Sequence, residues 1–121
     1  MNENGIMDKK IIAVDFDGTL VFNHYPTIEN PNVSLLTFIQ EHRDDFVWIL
    51  NTARHDGDLG EAINYLKDEW GIVFDYVNEN VPWLIEQYGD CRKVVADYYI
   101  DDRNLTLGSC LYDLEVVLDV S

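Results

Sequence analysis

Apolar residues along this chain of 121 residues fall into two patterns. Short unbroken runs read as strands, and segments with an apolar residue at every third or fourth position read as helices. Ile11, Ile12, Ala13 and Val14 form the first run, with no polar position in it, as in a strand buried on both faces. Residues 46–50 repeat it, residues 72–74 do so in shorter form, and Tyr98, Tyr99 and Ile100 make a fourth. Between the first two runs, Val33, Leu36 and Ile39 recur at spacings of three, and Leu35 and Phe38 widen the apolar face. Asn30 and Pro31 ahead of them suit a cap followed by a first-turn proline. Leu59, Ile63, Leu66 and Trp70 predict a second helix over residues 58–70, stopped by Gly71. A third is expected over residues 81–88, with Pro82 in its first turn and Gly89 after its end. The apolar residues between 111 and 120 fit a helix or a strand equally well.

Strands alternating with helices of this length predict the α/β class. The expected architecture is a single Rossmann-like domain over residues 1–121, with an open, mainly parallel sheet and helices on both faces. Composition narrows the function more than the fold. Eight Lys and Arg against 23 Asp and Glu give a net charge of −15. That balance argues against a nucleic-acid partner held by a basic patch and against docking on an anionic membrane. No run approaches the roughly 20 apolar residues of a membrane span. The first ten residues lack the apolar stretch of a secretory signal, so the mature protein is expected to be the whole chain. Cys91 and Cys110 form no C-x-x-C pair, and a cytoplasmic, reducing setting is expected.

Ligands of open parallel sheets sit beyond the carboxyl ends of the strands. The informative residues are therefore those that end each apolar run. The first run ends in Asp15-Phe16-Asp17-Gly18-Thr19, the second in Asn51-Thr52-Ala53-Arg54 and the fourth in Asp101-Asp102-Arg103. On one sheet edge, Asp15, Asp17, Asp101 and Asp102 would converge and repel one another. A hard divalent cation relieves that repulsion, and Mg²⁺ binds through one or two carboxylates plus substrate phosphate. Each group also has a plain structural reading. Asp15 and Asp17 suit a turn and a cap, Thr52 suits a cap, and Asp101 and Asp102 suit a solvated loop. Arg54 either grips phosphate or pairs with a nearby carboxylate. His24, His42 and His55 show no metal-ligand spacing.

The string DFDGTL, the strand-terminal Thr52 and the Asp101-Asp102 pair resemble three motifs of the haloacid dehalogenase-like phosphohydrolases. The resemblance covers residues 11–104. It implies a phosphatase, a phosphoric monoester hydrolase, in which Asp15 attacks phosphorus and becomes an aspartyl-phosphate. Asp17 would protonate the leaving oxygen and later take a proton from the hydrolytic water. Gly18 and Thr19 would shape the turn and offer backbone N–H groups to phosphate. Thr52 would hydrogen-bond a phosphoryl oxygen, with Arg54 as a second phosphate contact. Mg²⁺ would be held by Asp15, the backbone carbonyl of Asp17 and Asp101, with Asp102 as a further ligand or as a partner of one. The expected partner is a small phosphorylated substrate.

Two departures from that pattern stand out. The family supplies a lysine that holds the nucleophile and phosphate, at the start of the helix before the last of these strands, where this chain has Asn78, Glu79 and Asn80. Lys93 precedes the aspartate pair, but extended residues from 93 to 101 would span roughly 26 Å at about 3.3 Å each, towards the opposite sheet edge. The chain also has no room for the cap domain of larger members, so the site should be open, shielded by the loop over residues 24–32 or by another subunit. Tyr25, Pro26 and Ile28 could form a small lid or pack back onto the body. An uncapped site leaves a homo-oligomer open. The alternative function is a phosphate-binding or regulatory module that keeps the fold without turnover, and the missing lysine favours it. A receiver-type domain would carry paired acids after the first strand and a single phosphorylated Asp after the third. This chain has D-x-D after the first run and the Asp101-Asp102 pair after the fourth, so that reading is rejected. Asp17 equips the site for phosphoryl leaving groups rather than for dehalogenation.

Overall fold

Residues 9–89 and 94–101 are described by the structure, a computed structural model. The elements run β1 (Ile11–Val14), α1 (Val33–Glu41), β2 (Val47–Leu50), α2 (Asp56–Trp70), β3 (Tyr76–Val77), α3 (Pro82–Tyr88) and β4 (Tyr98–Ile100). The strands form one sheet in the order β3-β2-β1-β4, with every neighbouring pair parallel. Each β-to-β connection carries one helix, and in the last of them residues 90–93 lie outside the described residues. This is the Rossmann-like α/β arrangement that the alternating pattern predicts, and neither connection from β1 to β3 holds a separate domain.

The unbroken apolar strands are explained by two cores. Successive side chains of a strand point to opposite faces. Ile12, Val14, Trp48 and Leu50 pack on one face with Leu36 and Ile39 of α1 and Leu66 of α2. Ile11, Ala13, Val47 and Ile49 pack on the other with Val81, Trp83 and Leu84 at α3. All four residues of β1 and of β2 are buried, so neither strand has a polar face.

Several boundaries differ from the expectation. Helix α1 starts at Val33 with Asn32 as its cap, whose side-chain oxygen accepts from the Leu35 N–H at 3.3 Å. Asn30 and Pro31 serve instead in the return of the preceding loop: Pro31 forms an isolated antiparallel bridge with Val21, and the Phe22 N–H donates to the Asn30 carbonyl at 2.8 Å. Val33 is consequently exposed, although it fits the apolar period. Helix α2 begins two residues early, at Asp56, and Asp56 and Asp58 in its first turn suit the helix dipole. Its buried positions are Ala62 and Leu66, while Ile63 is exposed. The third strand lies at Tyr76–Val77 rather than at 72–74. Ile72 donates its N–H to the Leu66 carbonyl at 3.0 Å and joins Phe74 against the helices, so that apolar run serves packing, not pairing. Helix α3 and β4 lie where the pattern puts them, with Val81 as the cap of α3. The segment at 111–120 lies outside the described residues, as do Cys91, Lys93, Asp102, Arg103 and Cys110. No helix among the described residues is long and apolar enough to cross a membrane.

Candidate active site

Register fixes the carboxyl edge of the sheet. Val14 pairs with Leu50 on one side and with Ile100 on the other. The ladder runs one residue further: the Asp15 N–H donates to the Ile100 carbonyl at 3.0 Å and the Asn51 N–H to the Val14 carbonyl at 2.8 Å. Asp15, Asn51 and Asp101 thus leave three adjacent strands at one level. The chain builds outward from β1 through β2 to β3, then returns to add β4 on the other side of β1. That reversal makes the crevice between β1 and β4 the topological switch point, where open α/β sheets bind ligands. Asp15 and Asp101 flank it. A cleft of about 520 Å³ opens there, lined by Asp15, Asn51, Thr52, Ala53, Tyr99 and Asp101 among others.

Thr52 is held from both ends. Its N–H donates to Asn78 Oδ1 at 2.8 Å, and its Oγ1 accepts from the Arg54 N–H at 3.1 Å. With the oxygen so used, the hydroxyl proton is left to donate at the cleft. Asn78, at the position where the family's lysine is expected, therefore braces the Thr52 loop. Asn80 accepts the Val95 N–H at 2.6 Å and braces the segment leading into β4.

The Asp15–Thr19 turn is built for closure. Gly18 takes φ +80°, a conformation that L side chains rarely adopt. Its N–H donates to the Val21 carbonyl at 2.8 Å, and the Thr19 N–H donates to the Phe16 carbonyl at 3.2 Å. The expectation that Gly18 and Thr19 offer these N–H groups to phosphate is corrected, because the turn itself uses them. Thr19 is fully buried and its carbonyl accepts from Asn32 Nδ2 at 3.0 Å, which ties the turn to the start of α1.

Arg54 resolves the choice left by its sequence position. Its Nε donates to Asp17 Oδ2 at 2.8 Å and its Nη2 to Asp17 Oδ1 at 2.7 Å, a bidentate pair. The remaining donors reach the Pro26 carbonyl at 3.0 Å and the Asp58 carbonyl at 3.3 Å. The guanidinium lies between the rings of Phe16 and Tyr25, 5.0 and 4.9 Å from their centroids. Its side chain has no exposed surface. Assignment of Arg54 as a phosphate contact is therefore corrected: a phosphate would have to displace Asp17 or the Pro26 carbonyl to reach it. The loop over residues 22–30 packs onto the body through these contacts, with Tyr25 Oη donating to Asp58 Oδ2 at 2.5 Å and Ile28 against the core.

Asp17 receives a third donor, Asn23 Nδ2, at 2.7 Å from Oδ1. Burial raises its affinity for a proton, but the bonds from Arg54 and Asn23 and the Arg54 charge outweigh that, so its carboxyl titrates below the usual range. The sign for stability follows. A carboxylate with a depressed folded-state pKa contributes fully above its unfolded value and loses that contribution as pH falls through the folded one. Melting temperatures measured across the acid range, below about pH 4, should fall less steeply for Asp17→Asn than for the wild type. Parallel acid limbs would show that the pair contributes nothing there.

Asp15 and Asp101 give the cleft two carboxylates on neighbouring strands. Among the described residues no three His, Cys, Asp or Glu side chains are grouped to hold a metal, so a closed protein cage is not formed by them. Two oxygen donors fit Mg²⁺, which retains water and binds substrate phosphate at its other positions. Asp17 adds no carboxylate oxygen to that set, because Arg54 and Asn23 bond to both of its oxygens. Asp102 lies outside the described residues. Asn23, Asn32 and Asn78 are site-building residues that sequence reasoning did not single out for these roles. Single asparagines in loops carry no spacing signal.

No family model and no curated protein matches the chain. Among solved structures, it is similar to a conserved protein coded by a locus of Bacteroides thetaiotaomicron. The two are 33% identical over 89% of this chain and 90% of that one, with a TM-score of 0.70. With that identity over nearly the whole of both, this chain belongs to the family of the Bacteroides thetaiotaomicron conserved protein.

Proposed function

We propose that the chain is a Mg²⁺-dependent phosphatase of the haloacid dehalogenase-like kind, hydrolysing a small phosphomonoester through an aspartyl-phosphate on Asp15. The observation that carries this reading is the placement of Asp15 and Asp101 side by side at the switch point, with Thr52 across the same cleft. An Asp15 carboxylate oxygen forms the bond to phosphorus as the ester oxygen leaves, and water then cleaves the acyl phosphate to regenerate the carboxylate. Thr52 donates to a phosphoryl oxygen. Asp17 gives the leaving oxygen a proton and recovers one from the water. Its ionised, Arg54-paired form suits the second half-reaction, and an anionic phosphate beside it raises its proton affinity for the first. Asp15 and Asp101 would hold Mg²⁺, which supplies positive charge against the phosphoryl oxygens. A cytoplasmic setting belongs to the same reading.

A second reading is a phosphate-binding module without turnover. It is favoured by the charge of Arg54 being used on Asp17, and by a cleft whose described lining holds no Lys or Arg. Release of p-nitrophenol from p-nitrophenyl phosphate separates the two. The phosphatase loses release to a chelator and regains it with added Mg²⁺. Wild-type protein that binds Mg²⁺ yet releases nothing supports the module.

A further inference from the structure

The loop over residues 22–30 reaches Asp17 through one side chain. Asn23 Nδ2 donates to Asp17 Oδ1 at 2.7 Å and to the Thr27 carbonyl at 2.6 Å, while its Oδ1 accepts from the Gly18 N–H at 3.3 Å. That amide orientation is dictated by its partners, since two of them only accept and the third only donates. Asn23 therefore grips the side chain of Asp17 and the backbone of the next residue at once. Arg54 holds the carboxylate from the other side, and the same guanidinium is fixed by the Pro26 carbonyl and the Tyr25 ring. Tyr25 is in turn anchored to Asp58 on α2. The base of the loop is closed by Asn30 Nδ2 donating to the Phe22 carbonyl at 3.1 Å.

We propose that Asn23 is a positioning residue for Asp17: together with Arg54 it fixes the carboxylate's orientation, and it makes that orientation depend on the loop being seated against α2. The inference rests on the phosphatase reading, in which Asp17 moves the proton of the leaving group. Asn23 touches neither substrate nor the reacting atoms in that scheme. It acts by removing the rotational freedom of a side chain whose other side-chain partner among the described residues is Arg54. Proton transfer needs a positioned donor most when the leaving oxygen is basic, and least when that oxygen leaves readily as an anion.

The consequence is a selective loss. With phenyl phosphate, whose leaving group is strongly basic, Asn23→Ala should lower kcat about tenfold with KM nearly unchanged, as a misaligned acid loses part of its contribution. With 2,4-dinitrophenyl phosphate the same variant should lose no more than about twofold. Tyr25→Phe keeps the ring over Arg54 and removes only the bond to Asp58, and should show a weaker selective loss of about threefold on phenyl phosphate. It carries the experiment if Asn23→Ala fails to fold. Equal losses on the two esters, or a change confined to KM, overturn the inference and leave the phosphatase reading standing. No turnover of either ester by the wild-type protein overturns that reading, and the inference with it.

Discussion

Asp15→Asn should abolish phosphate release, by at least about a thousandfold, because an amide cannot form the bond to phosphorus that Asp15 is proposed to form. The substitution exchanges one carboxylate oxygen for an amide nitrogen with almost no change of volume, so the register that brings Asp15 between Asn51 and Asp101 is retained. It also takes one negative charge from an edge where two carboxylates leave neighbouring strands. Near-native circular dichroism and melting temperature are therefore expected alongside the loss of turnover. Persistence of more than a few per cent of the activity in a folded Asp15→Asn protein would remove the covalent step from the mechanism.

The largest expected effect on stability comes from Arg54→Met. The methionine keeps an apolar stem between Phe16 and Tyr25 but removes every donor to Asp17, Pro26 and Asp58. Asp17 is left charged, with Asn23 and its own backbone N–H in place of the lost cation. Breaking a buried pair from one side costs about 3–5 kcal/mol. Asp17 keeps 26% exposure, which lets water solvate the orphaned charge and places the cost near the lower bound. On a domain stabilised by about 5–15 kcal/mol, that is a large share. The Asp17→Asn/Arg54→Met pair should recover part of the loss, since no uncompensated charge remains. Denaturant unfolding of the two variants measures it. A single variant as stable as the wild type would show that Arg54 is not the clamp on Asp17.

The architecture was legible in the chain because continuous apolar runs and threefold spacings answer to burial, which dominates folding. The pattern located β1, β2 and β4 within a residue, and with them the three strand ends that build the cleft. It failed where apolar residues serve something other than the element they imitate. Ile72 and Phe74 close the helix-side core, so the pairing of β3 begins later. Asn30 and Pro31 imitate a helix start but belong to the return of the loop. Within the site, the placement of Asp15, Thr52 and Asp101 on one sheet edge was legible from topology, because register places neighbouring strand ends at one level. The roles expected of them came from the family resemblance. The partner of Arg54 was not. Its position along the chain puts it near the edge, but only the folding of residues 22–30 over it decides that it serves Asp17 rather than phosphate. Backbone donors of Gly18 and Thr19 were misjudged for the same reason: the turn they enable consumes them.

The central claim is that Asp15 and Asp101, delivered by separate strands, share one divalent cation. Titration of Mn²⁺ followed by electron paramagnetic resonance, with no substrate present, addresses it directly. The account predicts one ion bound per chain, displaced by Mg²⁺, and binding weakened about tenfold or more by either Asp15→Asn or Asp101→Asn, as expected when a carboxylate ligand is lost. Both variants binding Mn²⁺ as tightly as the wild type, or a wild-type protein that binds none, would contradict it.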